Sequence, residues 1–473
     1  MNRNGLMLQG NLAFDQAGDF LAEVFKNSSR SRVHLARNAV QPDTGERRWV
    51  PRSGALPKMV ETANSWSFYS EDDCYWGING YSFAPDEWTR VWSHVKQLNG
   101  FYADFDYYKI DKYKHLSAIE FASEVLNVNE WLLPPTVVID SGKGCWMFWL
   151  FKRPPVITDK HDWMSQWQEN QTFLVDQLTE YGADPACRDA TRVARLPNTI
   201  NSKTGRPTSG MFVGQRYEFA EIKAALRERY KFLRDQEAEA KPKPKKAKKT
   251  SKVVKPNAFN RSVYSMHKGR MRDYRKLAAL RGGRLKDNRR QIVHLYTVSA
   301  AWFCFDEASL IAEVQAFVDE CIHEPEKFRQ IDEKQAEVLR RYRNHQELKR
   351  AGFDHEETRK LLNGGRDDNY LRRTSRIIEE LGITRSEMRH MVITIDQEEY
   401  RRRDASQADR RRRQNGIQTR SDYDRERQAK VSLKRSEALR LRLSGLSVRA
   451  IAEQMNVSVG SVHNWLKQAA RES

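Results

Sequence analysis

The chain has 473 residues, 39% of them hydrophobic and 10% aromatic, enough for about three domains with real cores. Its 82 basic residues outnumber 63 acidic ones, giving a net charge of +19; nucleic acid is the first candidate for a balancing polyanion, and a basic tail on an unrelated enzyme is the alternative. Composition argues against three classes: no run approaches the roughly 18–20 apolar residues of a membrane span, the first residues lack a signal-peptide core, and Cys74, Cys145, Cys187, Cys304 and Cys321 form no C-x-x-C pair, which fits a reducing cytoplasm better than a disulfide framework or zinc ribbon.

Residues 1–230 are rich in aromatics and short strand-like runs, at 66–69, 136–139 and 145–151, with helical pieces at 118–126 and 161–181 between strands. This pattern predicts one α/β or α+β domain. Within it, residues 101–108 read Phe-Tyr-Ala-Asp-Phe-Asp-Tyr-Tyr. The period of two places Asp104 and Asp106 on one face of a strand and Phe105 and Tyr107 on the other. Carboxylates about 6.6 Å apart repel by roughly 2–3 kcal/mol at an effective dielectric near 20. A hard divalent cation between them reverses that sign; a half-exposed strand with two solvated acids is the alternative.

Two further segments follow. Asp140-Ser141-Gly142-Lys143-Gly144 is a glycine turn leading into the apolar run Cys145–Leu150. Its backbone N–H groups and Lys143 suit a phosphate, although it lacks the spacing and Ser/Thr of a Walker A loop. Residues 183–203 then combine Asp184 and Asp189 with Arg188, Arg192, Arg195, a Pro197-Asn198 turn, Asn201 and Lys203. Asn198 suits the left-handed backbone such a turn demands. A salt-bridged surface loop is the alternative.

Composition shifts at 231–258, where the Lys/Pro stretch 241–249 reads as a solvated basic linker. Residues 259–350 become helical, with apolar spacing at 274–280, 289–303, 307–321 and 332–348 and a Gly282-Gly283 turn. A connecting region, 351–430, contains a helical unit at 370–391. There Gly382 reads as a C′ residue, and Thr384 through Glu387 has capping-box spacing. Residues 400–430 read as a charged helix or a disordered spacer.

The last segment, 431–473, carries Gly445-Leu446-Ser447, Ile451-Ala452, a turn at Asn456-Val457 and a final helix from Val459. Ser447 and Ser458 stand at N-cap positions. This resembles the helix-turn-helix tail of resolvases and many replication or regulatory proteins. The recognition helix would present Ser458, Gly460, Ser461, His463, Asn464 and Lys467 to DNA. A protein-binding helical hairpin is the alternative.

Taken together, Asp104/Asp106, Ser141–Gly144, and Asp189 with Arg192, Arg195, Pro197, Thr199, Asn201 and Lys203 resemble the archaeo-eukaryotic primase superfamily. The resemblance is in particular to the primase domains of plasmid and mobile-element replication proteins, and it covers roughly residues 60–215. It implies an α/β (α+β) primase-like catalytic domain with an RRM-like sheet, followed by all-α accessory and helix-turn-helix domains. It also implies nucleotidyl transfer: primer synthesis on single-stranded DNA from nucleoside triphosphates, as a primase or primase-polymerase, with Mg²⁺ or Mn²⁺ held by Asp104, Asp106 and a third carboxylate. Asp184 and Asp189 both stand in range for that third ligand; Asp189 is preferred for its distance from the Arg-Leu-Pro segment. Ser141, Lys143, Gly144, Arg192, Arg195, Asn201 and Lys203 would bind nucleotide and phosphate.

The chain departs from the family pattern in two places. Trp146 stands where the family often has a phosphate-contacting histidine, and Pro-Asn-Thr replaces Pro-Gly-Thr. The other expected partners are double-stranded origin DNA and, since no P-loop occurs, a replicative helicase in trans; no membrane is expected. The competing function is a non-catalytic origin-binding initiator or regulator with a degenerate primase-like domain, which Trp146 favours. A rolling-circle nickase is disfavoured because the chain has no H-x-H pair.

Overall fold

The computed structural model describes residues 8, 12–28, 31–66, 72–82, 91–158, 161–240, 263–331 and 373–472. The expected strand residues 67–69, the Lys/Pro stretch, the helix at 332–348 and Leu371 lie outside them. The chain divides into two units, Met1–Thr394 and Ile395–Ser473.

The first unit contains strands β1 (Leu12–Ala13), β2 (Val33–Val40), β3 (Arg47–Gly54), β4 (Asp73–Gly77), β5 (Gly80–Tyr81), β6 (Val95–Gln97), β7 (Gly100–Phe105), β8 (Val137–Asp140), β9 (Cys145–Leu150), β10 (Val193–Arg195), β11 (Ile200–Asn201), β12 (Arg206–Pro207) and β13 (Ser209–Phe212). Five of them form a sheet in the order β1-β13-β8-β9-β7, and four more a second sheet in the order β10-β4-β2-β3. Every ladder in both is antiparallel, so the architecture is α+β. The apolar run Cys145–Leu150 becomes β9, buried along its whole length because β7 and β8 flank it.

The two sheets share a core. Trp76 of β4 is fully buried, with its ring 5.4 Å from both Phe20 and Phe148. Phe20 comes from α1 (Ala17–Phe25), and Phe148 from the centre of β9. Because side chains alternate along a strand, Tyr75 and Trp76 emerge on opposite faces of β4. One face of the second sheet therefore belongs to the core and the other is left to build a site. Phe105 and Tyr107 pack on Phe121 at 5.3 and 4.4 Å. Phe121 lies on α3 (Ala118–Val128), which a Ser117/Glu120 capping box opens.

Three helices that the sequence places after the linker pack within this same unit. They are α6 (Val263–Leu280), α7 (Arg289–Ala300) and α8 (Glu307–Cys321), counting α2 (Leu56–Trp66), α4 (Trp163–Gln177) and α5 (Phe219–Ala240) before them. The helix beginning at Val263 is longer than the apolar spacing from 274 indicated. Phe303 stacks 4.2 Å from Trp92, and buried Glu313 accepts from the Ser93 N–H at 2.8 Å. The expected helical unit near 370–391 appears as two short helices, Thr374–Glu380 and Arg385–Met388, with the Thr384/Glu387 capping box formed and Gly382 at φ +56°. The buried carboxylate of Asp273 on α6 accepts the N–H groups of Val392, Ile393 and Thr394 at 2.6–2.8 Å.

In the second unit, residues 400–430 are helical on either side of a break at 415–419, within Gln397–Gln414 and Arg420–Leu443. Helices Val448–Gln454 and Val459–Glu472 complete it. Ala438, Leu441, Ile451, Ala452 and Val462 form its core. Leu439 and Leu443 point outward, 40% and 81% exposed, because helical spacing brings only Leu441 of the three to that core. No described helix is long and apolar enough to cross a membrane.

Burial holds His34 uncharged. It lies edge-on to Tyr81 at 4.1 Å, and desolvation with the nearby Arg32 and His94 lowers its pKa to about 2. The unfolded chain binds a proton there near pH 6.5 and the folded chain does not, so this contribution to stability falls as pH drops below about 6.5. Between pH 7 and 5, denaturant unfolding is expected to cost the wild type about 2 kcal/mol more stability than His34→Phe, which keeps the ring packed without the titration.

Candidate active site

The first sheet, the Arg-rich segment and the outward face of the second sheet enclose a cleft of ≈ 480 Å³. Asp104 near the end of β7, opposite Trp146 on β9, lines it together with Asp106 just beyond the strand. Both acids reach the same cleft, although the strand ends at Phe105 and Asp106 leaves it at φ −81° and ψ +44°. The segment that follows α4 is zipped onto this strand end. The Asp106 N–H donates to the Gly182 carbonyl at 2.9 Å, and the Asp184 N–H donates to the Asp104 carbonyl at 2.7 Å. Gly182 makes the turn at φ +85°. Asp184 thereby becomes the third carboxylate of the cleft.

Asp189, which the sequence preferred for that place, is not among the residues that line the cleft. Its side chain is fully buried. One oxygen accepts from the Thr191 N–H and hydroxyl, both at 2.8 Å. The other accepts from the Phe305 N–H at 3.2 Å and the Ser309 hydroxyl at 2.7 Å, at the start of α8. The carboxylate thus locks the helical segment to the sheet domain and does not line the cleft.

The glycine turn forms the opposite lip. Asp140 accepts from the Gly142 N–H at 2.8 Å, and the Ser141 hydroxyl from the Gly144 N–H at 3.0 Å. A Cβ on Gly144 would stand 2.6 Å from the Phe105 carbonyl oxygen, so only glycine lets the turn approach the acidic strand this closely. Asn201 donates to the Ser141 carbonyl at 2.8 Å and so ties the Arg-Lys segment to the turn. Asn198 adopts φ +61°, as its turn requires. Ser141, Lys143, Gly144, Arg192, Arg195, Asn201 and Lys203 all line the same cleft. Lys143 sits 4.4 Å above the Tyr108 ring. Trp146, 4% exposed, is part of the wall and stacks on Phe148.

The electrostatics are strongly coupled. Desolvation pushes the Asp104 carboxyl up to about 8; Arg192 opposes this, and Asp184 and Asp106 reinforce it. Asp184 pairs with Arg192, and Asp106 with Lys109. Among the described residues no three His, Cys, Asp or Glu side chains already converge as metal ligands. Burial opposes ionisation of Asp73, but hydrogen bonds from Arg195 and Ser202 outweigh it and hold the carboxyl below its ordinary range. Asp73 thus fixes both Arg195 and the loop before Lys203. Sequence reasoning passed over Asp73, Trp49 and Tyr75, which carry no motif; strand pairing brings Trp49 and Tyr75 into the cleft wall and sets buried Asp73 behind Arg195.

In the second unit, Ser458, Gly460, His463, Asn464 and Lys467 are exposed and Ser461 is half-buried. Ser458 caps the final helix by accepting from the Ser461 N–H at 3.1 Å. Val462 is buried, and Trp465 and Leu466 pack on the core.

Parts of the chain are similar to known proteins. Residues 429–472 match the family model "Sigma-70, region 4", so the terminal unit carries a helix-turn-helix domain of that type. Over 329 residues, 69% of each chain, the protein is 29% identical to a "Replication protein" of Clostridium perfringens. Among solved structures it is similar to primase RepB′, at 14% identity over 74% of this chain and 98% of that one, with a TM-score of 0.29. The primase-polymerase AEP domain of cyanophage S-2L is matched at 16% identity over 45% of this chain and 97% of that one, also with a TM-score of 0.29.

The two acids separate by substitution. Asp189→Ala strands buried donors of Thr191, Phe305 and Ser309 and is expected to cost about 3 kcal/mol of unfolding free energy. Asp184→Ala removes one cap and one partly exposed ion pair and is expected to cost about 1 kcal/mol. Denaturant unfolding of both variants checks the order.

Proposed function

We propose that the protein is a replication protein of a plasmid or mobile element whose first unit is a metal-dependent primase or primase-polymerase and whose terminal domain binds duplex DNA. The observation that carries this reading is the meeting of Asp104, Asp106 and Asp184 with Lys143, Arg192, Arg195 and Lys203 in one cleft. Carboxylates and cations interleaved in one cleft suit a triphosphate bridged by divalent cations. The relative named as a replication protein supports the same role.

The residues fit such ions. Asp104 is a desolvated carboxylate beside two others, and its charge is the one a divalent cation would stabilise most. Asp104, Asp106 and Asp184 would hold Mg²⁺ or Mn²⁺, for which Asp106 and Asp184 must turn away from Lys109 and Arg192. Held there, such ions would supply a lowered pKa to an attacking 3′-hydroxyl and charge stabilisation to an in-line phosphoryl centre. The chain itself supplies orientation. Asp73 holds Arg195 rigid, Asn201 fixes the glycine turn, and Gly144 lets that turn close on the acids. Released from Asp184, Arg192 is free to meet phosphate. The exposed face of the final helix offers Asn464 and Lys467 to a major groove, while a replicative helicase would act in trans.

A second reading, a non-catalytic origin-binding initiator, rests on Trp146, which brings an indole wall where a histidine would give a phosphate donor. Labelled-nucleotide incorporation on unprimed single-stranded DNA with Mg²⁺ or Mn²⁺ separates the two. The wild type is expected to make primers. Asp104→Ala/Asp106→Ala is expected to make none while still binding duplex DNA. Equal incorporation by both proteins would remove the primase reading.

A further inference from the structure

We propose that Trp49 and Tyr75 form a stacking platform for an unpaired nucleobase at the mouth of the cleft; this deepens the nucleotide-transfer reading and rests on it. The platform follows from strand register. Trp49 on β3 and Asp73 on β4 both lie opposite Asn38 of β2. Tyr75 and Pro51 both lie opposite Ala36, and Arg195 of β10 lies opposite Tyr75. Residues two apart on a strand share a face, so Trp49, Tyr75 and Arg195 stand together on the side of the second sheet turned away from Trp76.

Their geometry is that of a graded stack. The Arg195 guanidinium is 5.3 Å from the Tyr75 ring centroid, and the Trp49 ring is 5.3 Å from Tyr75 with 37° between planes. Exposure rises along the row, from 14% for the Arg195 side chain to 38% for Trp49. Tyr75 and Trp49 both line the cleft that holds the three acids.

This part of the wall differs from the core. Trp76, one residue away, is fully buried and satisfies the packing of both sheets, so Trp49 fills no interior. An indole 38% exposed in the cleft wall leaves aromatic surface for a planar ligand to cover. Arg47 on the same face, which pairs with Asp73 at 3.4 Å, and Lys203 across the cleft provide positive charge. Aromatic faces flanked by cations are the recurring means of holding single-stranded nucleic acid, worth about 1–3 kcal/mol per stacked base. The base of an incoming nucleoside triphosphate presents the same chemistry as a template base, and the two are told apart by experiment.

Two binding measurements on the full-length protein, neither requiring turnover, provide the test. The first compares a short fluorescent oligodeoxythymidine with an abasic phosphodiester strand of equal length by anisotropy. The second measures nucleoside triphosphate binding by calorimetry. The wild type is expected to prefer the base-bearing strand about tenfold, within the range of one stacked base. Trp49→Ala is expected to lose that preference and Trp49→Phe to keep most of it. Loss of triphosphate affinity in Trp49→Ala, with the strand preference intact, would assign the platform to the incoming nucleotide. If Trp49→Ala changes neither measurement, the platform is wrong, although primer synthesis could still stand. If the stacking preference holds but no nucleotide is incorporated, the platform survives and the primase reading fails.

Discussion

Two backbone hydrogen bonds organise this protein. Asp106 to Gly182 and Asp184 to Asp104 zip a distant segment onto the free edge of the strand that carries the acids. Main-chain geometry thereby sets three acids around one cleft, with Asp106 and Asp184 turned to Lys109 and Arg192. Like charges gathered this closely oppose one another. The structure tolerates them through Arg192 and Lys109 and through the raised pKa of Asp104. The site stores an electrostatic demand, and a cation-bridged polyphosphate is the ligand we propose for it.

The remainder of the first unit serves to hold the opposing walls. Trp76 cements the second sheet to the first, so the outward face of that sheet is fixed relative to the acids. Asp73 then positions Arg195, and Asn201 pins the glycine turn. Asp189 extends the same rigidity to the helices beyond the linker, since its buried carboxylate is satisfied only when Phe305 and Ser309 are in place. The helical segment is therefore structurally part of the unit that contains the cleft.

Much of this was legible in the sequence because it depends on local pattern. Alternation around Asp104 and Asp106 gave the strand and its two faces. The glycines of 142–144 gave the turn, and the spacing of Ile451, Ala452 and Val462 gave the helix-turn-helix core. Asp184 and Asp189 defeated sequence reasoning for a physical reason. Both are acids near arginines, and only a partner more than a hundred residues away shows which is a lock. Trp49 and Tyr75 were hidden likewise, since strand pairing between β2, β3 and β4 is what turns two unremarkable aromatics toward the acids.

The central claim is that Asp104, Asp106 and Asp184, and not Asp189, grip the divalent cation. Titration of Mn²⁺ followed by electron paramagnetic resonance tests it directly. Binding is expected in the wild type and in folded Asp189→Asn, and is expected to be lost or greatly weakened in Asp104→Asn and Asp184→Asn. Undiminished Mn²⁺ binding by Asp184→Asn, or its loss in a folded Asp189→Asn protein, would contradict the account.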